Sequence, residues 1–159
     1  MGAFVHHSAI VASDIDASIR FWREGLGFIV LMDHEFEGDW PTLFGAPSTH
    51  LRSVFLGDPA NSAGGVVELV HFGSSPAVPD EAAVSGGARE VPVARSPGRG
   101  LFLLSVNVNL DAVLARLARL ALGSIEGRIE VPGPRGPVGM ATVRDPDGVL
   151  VELIDQPSV

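Results

Sequence analysis

Two glutamates and a histidine stand out in this 159-residue chain, each inside an apolar run where a polar side chain is costly. Glu68 lies in GVVELVHFG (65–73) and Glu152 in GVLVELID (148–155), flanked on both faces by aliphatic residues. A carboxylate in such a strand is unfavourable unless it is paired, metal-bound or protonated. The alternative is a solvated edge strand on which each glutamate hydrogen-bonds a neighbour. Ahead of both, VHHSAIVASD (5–14) sets His6 and His7 side by side. Successive strand side chains point to opposite faces, so at most one of these histidines looks into a cavity enclosed by the sheet. Alternation groups His7 with Ala9 and Val11, Glu68 with Val66 and Val70, and Glu152 with Leu150 and Ile154. His7 as a core histidine satisfied by backbone is the competing reading, and His6 is assigned to packing or the surface.

Other side chains are secondary candidates. His50 and Arg52 share a strand face and could reach a cavity rim, where arginine would bind a substrate carboxylate or phosphate, or they could form a plain surface pair. Phe36, Trp40 and Phe44 fall in or beside HEFEGDWPTLFGAPST (34–49), near His34, and are read as a pocket wall. His71 alternates away from Glu68 and is taken as structural or exposed. The turn DPDG (145–148) is read as hairpin chemistry alone.

Composition narrows the chemistry further. All 11 basic residues are arginine, so Schiff-base and lysine-base mechanisms are excluded. Cysteine and tyrosine are absent, which removes thiol nucleophiles, disulfides, thiolate metal sites and phenolic acids. The net charge of −8 argues against nucleic acid or an anionic membrane as partner. No apolar stretch is long enough to span a bilayer and MGAFVHHSAI lacks a signal-peptide pattern, so a cytoplasmic location is expected.

The elements that must position these residues repeat. A strand at FVHHSAIVAS leads to a helix, DIDASIRFWREGLG (14–27), capped by Ser13 or Asp14 and carrying the stripe Ile15, Ile19, Trp22 and Leu26. Strands FIVLMDHEF, HLRSVFLG and GVVELVHFG follow, giving β-α-β-β-β. In the second half LFLLSVNV precedes NLDAVLARLARLALG, capped by Asn109 or Asp111, and then GRIEVP, VGMATVRD and GVLVELID. DIDA and NLDA are offset by 95 residues and the two VEL motifs by 84, which signals a duplicated unit with extra chain in the first copy. The fold expected is α+β, with one module over 1–73, a Pro/Gly/Ser/Ala-rich linker or lid over 74–100, and a second module over 101–159.

On HSAIVASDIDASIRFWREGLGF and DPDGVLVEL the chain resembles the vicinal oxygen chelate superfamily, which includes glyoxalase I, methylmalonyl-CoA epimerase, bleomycin-resistance proteins and extradiol dioxygenases. The likeness spans nearly the whole chain. It implies two βαβββ modules forming an incomplete barrel around a central cleft, in a homodimer. It also implies metal ligands at His7, Glu68 and Glu152, with the fourth ligand position falling on Phe102 or, by a one-residue slip, on Leu101 or Leu103. None of these three is a ligand, so Phe102 is read as a pocket wall. The cofactor expected is a divalent metal ion, or none if three ligands do not suffice. The activity implied is that of an isomerase, epimerase or lyase acting on a metabolite with adjacent oxygens, with Glu68 or Glu152 carrying the proton. A metal-free ligand-binding protein is the alternative. A ring-cleaving dioxygenase fits less well, since tyrosine and a second ligand histidine are missing.

Overall fold

A computed structural model of the chain describes residues 5–61, 65–73, 100–133 and 136–155. The linker or lid expected over 74–100 lies, but for Gly100, outside the described residues.

Strand β1 (His7–Val11) runs into helix α1 (Ile15–Arg20), whose first turn is closed by the Asp14 carboxylate accepting the Ala17 N–H at 3.0 Å. The helix continues as a wider π turn over Phe21–Gly25. Phe21 is buried beside Trp22, three residues on from the buried Ser18, where the stripe read from the sequence held Trp22 alone. Then come β2 (Ile29–Glu37), a short helix α2 (Trp40–Phe44), β3 (His50–Gly57) and β4 (Val66–Phe72), forming a sheet in the order β1-β4-β3-β2. The second module repeats the plan with β5 (Leu104–Val108), α3 (Leu110–Leu120), β6 (Ser124–Gly133), β7 (Gly136–Arg144) and β8 (Leu150–Asp155), in the order β5-β8-β7-β6. Asn109 caps α3 as Asp14 caps α1. A register shift interrupts β2 at Leu31 and β6 at Glu126, again 95 residues apart. The two sheets remain separate and are not closed into a barrel within the chain.

Each sheet buries one face under its helix. Ile10, Val54, Leu56, Val67 and Leu69 join Phe21 and Trp22 in a core that continues into Leu110, Val113, Leu117, Val143, Val151 and Leu153. The modules thus meet through their helices. Gly25 permits this approach, since a Cβ there would lie 2.6 Å from the Leu117 side chain. Arg116, outside the apolar stripe of α3, donates its Nε–H to the Gly25 carbonyl at 2.7 Å and so closes the end of the facing helix.

The DPDG turn does more than make a hairpin, correcting the sequence reading. Asp147 Oδ1 accepts the Ser13 N–H at 2.8 Å and the Ser13 hydroxyl at 2.9 Å, while Oδ2 accepts the Ser18 hydroxyl at 2.5 Å. A turn of the second module therefore holds the start of the first module's helix. Asp145, nearly buried, supports the turn by accepting the N–H groups of Asp147 and Val149. Burial, reinforced by the Asp147 charge, pushes its carboxyl up to about 6.

Two expectations follow. Asp147→Ala should lower stability by about 1–3 kcal/mol, read by denaturant unfolding, because three donors lose their acceptor. For Asp145 the folded-state value lies above the unfolded one, so the native state keeps a proton that the unfolded chain has lost between about pH 4 and 6, and stability falls as pH rises through that window. Asp145→Asn retains the accepting oxygen without the charge. It should gain stability relative to the parent at pH 7.5 and show no gain at pH 4; an equal difference at both pH values would contradict the assignment.

Candidate functional site

The site begins with strand pairing. β1 runs parallel to β4 with His7 opposite Val66 and Ala9 opposite Glu68. This register brings His7 Nε2 to 3.2 Å from Glu68 Oε2. The Glu68 carboxylate is largely covered, with 13% of its side chain exposed, and its Oε1 accepts the Ser53 hydroxyl at 2.5 Å. Phe55, directly across from Glu68 on β3, sets its ring edge-on to His7 with centroids 5.2 Å apart. Both glutamate oxygens are thus engaged on a face otherwise apolar around them, where Val66 and Val70 are buried but stand apart from the helix-covered core.

His6 departs from the expectation of an opposite face. β1 starts at His7, so strand alternation does not reach back to His6. Its Nδ1 lies 2.8 Å from Nδ1 of His7, and its ring also meets Phe55. His71 does turn away, its Nδ1 lying 3.1 Å from the Ala12 carbonyl.

Glu152 occupies the equivalent face of the other sheet. Ser105 is its register partner on β5 and donates to its Oε2 at 2.7 Å. Thr142 lies across on β7, and a shallow pocket of about 160 Å³ opens beside the carboxylate, lined by Met140, Thr142 and Ile129 among others. A larger cavity of about 290 Å³ sits at the module junction between Phe28, Asp58 and Val106, away from all three candidate ligands.

The pairing also relates the first strands of the two modules. Ala9 partners Glu68 and Ser105 partners Glu152, so Ser105 stands where Ala9 does, while Leu101, Phe102 and Leu103 all lie ahead of β5. The offset of 95 that pointed to Phe102 holds for the helix caps, but the strands are offset by 96. Phe102 lies ahead of β5 and is half-exposed.

Arg52 and His50 require a correction. Arg52 alternates with Ser53 and Phe55 and so shares the helix-covered face with Val54 and Leu56. There it grips Asp33 through Nε at 3.0 Å and Nη2 at 2.8 Å and reaches Asp16 of the helix at 3.3 Å. The paired guanidinium holds the Asp33 carboxyl below its usual range. Neither Arg52 nor His50, two residues earlier in the alternation, belongs to the Glu68 face. Phe36 does belong to it, and Trp40 and Phe44 form a helix whose rings stack at 5.8 Å, with Phe44 lying against Phe72.

Donor chemistry suits a cation at His7 and Glu68: an imidazole nitrogen and a carboxylate oxygen 3.2 Å apart match two adjacent ligands at about 2.1 Å from one ion. Among the described residues, no three histidine or acidic side chains gather closely enough to hold a metal alone. His7 and Glu68 alone would give such an ion two protein donors. Ser53, Ser105 and Phe55 escaped the sequence reading because nothing in their own positions marks them; only cross-strand register does.

Comparison with known proteins bears on this geometry. The model of the glyoxalase/bleomycin resistance protein/dioxygenase superfamily matches residues 4–153. A lactoylglutathione lyase-like protein of Aspergillus terreus is 36% identical over 166 residues, covering 98% of this chain and 76% of the relative. Among solved structures, a glyoxalase family protein from Bacillus cereus superposes with a TM-score of 0.71 at 19% identity, covering 97% of this chain and 94% of the other. The trypanothione-dependent glyoxalase I of Leishmania major gives 0.58 at 23% identity, covering 97% and 87%. Both structures share the fold.

Arg52→Ala should cost about 1 kcal/mol or less of stability, given its part-exposed ion pairs. It should leave divalent-metal binding, measured by calorimetry, unchanged.

Proposed function

Because the chain belongs to the glyoxalase/bleomycin resistance protein/dioxygenase superfamily, we propose that it is a glyoxalase-like small-molecule enzyme, an isomerase, epimerase or lyase, that moves a proton beside one of two adjacent oxygens of its substrate. The observation that carries this reading is the His7–Glu68–Ser53 cluster: a covered carboxylate, oriented through both oxygens, on the sheet face turned away from the helix. Such a carboxylate is placed to take a proton from carbon, with Ser53 fixing its plane and the apolar surroundings keeping water away. Glu152, held by Ser105, is the matching group on the other sheet. Two carboxylates on opposite sides of one substrate suit epimerisation, in which one face loses the proton and the other gains it.

His7, Glu68 and Glu152 are the residues that would hold a divalent cation. When bound, such an ion supplies the positive charge that stabilises an enolate oxygen. Within one chain the two modules are joined through their helices and their carboxylate faces belong to separate sheets. A homodimer in which the second module of one copy covers the first module of the other would bring Glu152 to His7 and Glu68.

One observation favours a second reading, a metal-free ligand-binding protein: none of Leu101, Phe102 and Leu103, where the second module would need a ligand equivalent to His7, can ligate a metal. Metal content of protein purified without chelators separates the two. The enzyme reading expects stoichiometric divalent metal, lost in His7→Ala. Protein that holds no metal and refuses added Mn²⁺, Ni²⁺ and Zn²⁺ would establish the binding-protein reading instead.

A further inference from the structure

The face that carries Glu68 continues past the carboxylate. Antiparallel partners point to the same side of a sheet, so each rung of the register can be followed across the strands. Beyond the rung of Ala9, Glu68, Phe55 and Met32 lies that of Val11, Val70, Ser53 and His34, and beyond it Phe72, Leu51 and Phe36. The polar end thus grades into an aromatic end. His34 and Phe36 meet edge to face at 4.7 Å, Phe44 lies 6.5 Å from Phe72, and Trp40 stacks on Phe44 almost parallel, at 9°. Phe44 is 60% exposed and Phe36 37% exposed, so this wall offers ring faces and edges to the outside instead of burying them.

We infer that the site takes a compound with a planar, fused-ring aromatic part and, at one end, a saturated carbon beside adjacent oxygens, its rings on the Phe36/Phe72/Phe44 wall and that carbon at Glu68. This rests on the reading of Glu68 as the reacting group. Phe72 is four residues from Glu68 along β4, about 13 Å at the rise of a strand, a span suited to a polycyclic compound. Val11, exposed between the two ends, offers the rings an apolar contact. Aromatic side chains recognise rings by offset and edge-on contacts of the kind these residues already make with one another. The same face offers nothing to a flexible polyanion: among the described residues it carries no arginine, and Arg52 is spent on the opposite face against Asp33 and Asp16.

The protein contains its own reporter, because it has two tryptophans and Trp22 is fully buried in the core. Alizarin, a planar tricyclic compound with adjacent hydroxyls at one end, is titrated into the full-length protein while tryptophan emission is followed. S-lactoylglutathione serves as the flexible, anionic comparison. Saturable quenching is expected, reduced in amplitude in Trp40→Phe, with affinity at least about fivefold weaker in Phe36→Ala and Phe44→Ala. Both of those side chains are exposed enough for the variants to fold, which circular dichroism checks. Glu68→Gln should keep the quenching, since the rings still have their wall, and this separates failure of the aromatic site from failure of the Glu68 chemistry. Unchanged alizarin affinity in both phenylalanine variants overturns the inference. So does binding of S-lactoylglutathione in place of alizarin, which leaves Glu68 as the reacting group but changes the substrate class. A loss of oligomeric mass in Phe44→Ala without a change in alizarin affinity would assign the wall to a contact between copies, and overturn it too.

Discussion

Parallel pairing of the first strand of each module with its last is the constraint on which the remainder of the structure depends. A parallel neighbour cannot be reached by a tight turn, so the chain must cross over before it returns. Here the crossover contains the helix, which covers one face of the sheet and supplies the core, and two further strands, which widen the other face. The same pairing puts His7 within reach of Glu68 and Ser105 within reach of Glu152. Fold and site therefore share one origin. A one-residue slip of β1 against β4 would turn His7 toward the helix and leave Glu68 without its partner.

The two modules are tied together by groups that belong to neither site. The Gly25–Leu117 approach, the Arg116 bond to the Gly25 carbonyl and the grip of Asp147 on Ser13 and Ser18 all lie on the helix side. None of these contacts uses Glu68 or Glu152, which suits a family in which one scaffold hosts many chemistries. The DPDG turn, by contrast, carries structural contacts between the modules through Asp147.

Much of this architecture is readable in the residues. The strand–helix–strand order, both caps and the helix stripes follow from local pattern, and the repeat offsets announce the duplication. What escapes is whatever depends on register between strands distant in sequence. Phe102 and Leu103 cannot be told apart from spacing, because the connection from strand to helix is one residue longer in the first module. Arg52 and Glu68 are each plausible pocket residues until pairing shows that they face opposite sides. His6 misleads because alternation does not hold one residue beyond the strand that enforces it.

The account stands or falls on whether His7, Glu68 and Glu152 act together, and a mixing measurement tests this directly. Glu68→Gln and Glu152→Gln proteins are each titrated with Mn²⁺ by calorimetry, then co-refolded in equal amounts and titrated again. If the second copy supplies Glu152, neither variant alone binds the ion tightly, and the mixture regains about one intact site in four, because half of randomly paired dimers are mixed and each mixed dimer carries one complete site. A mixture that binds no better than its components, although it forms mixed dimers, would contradict the shared site.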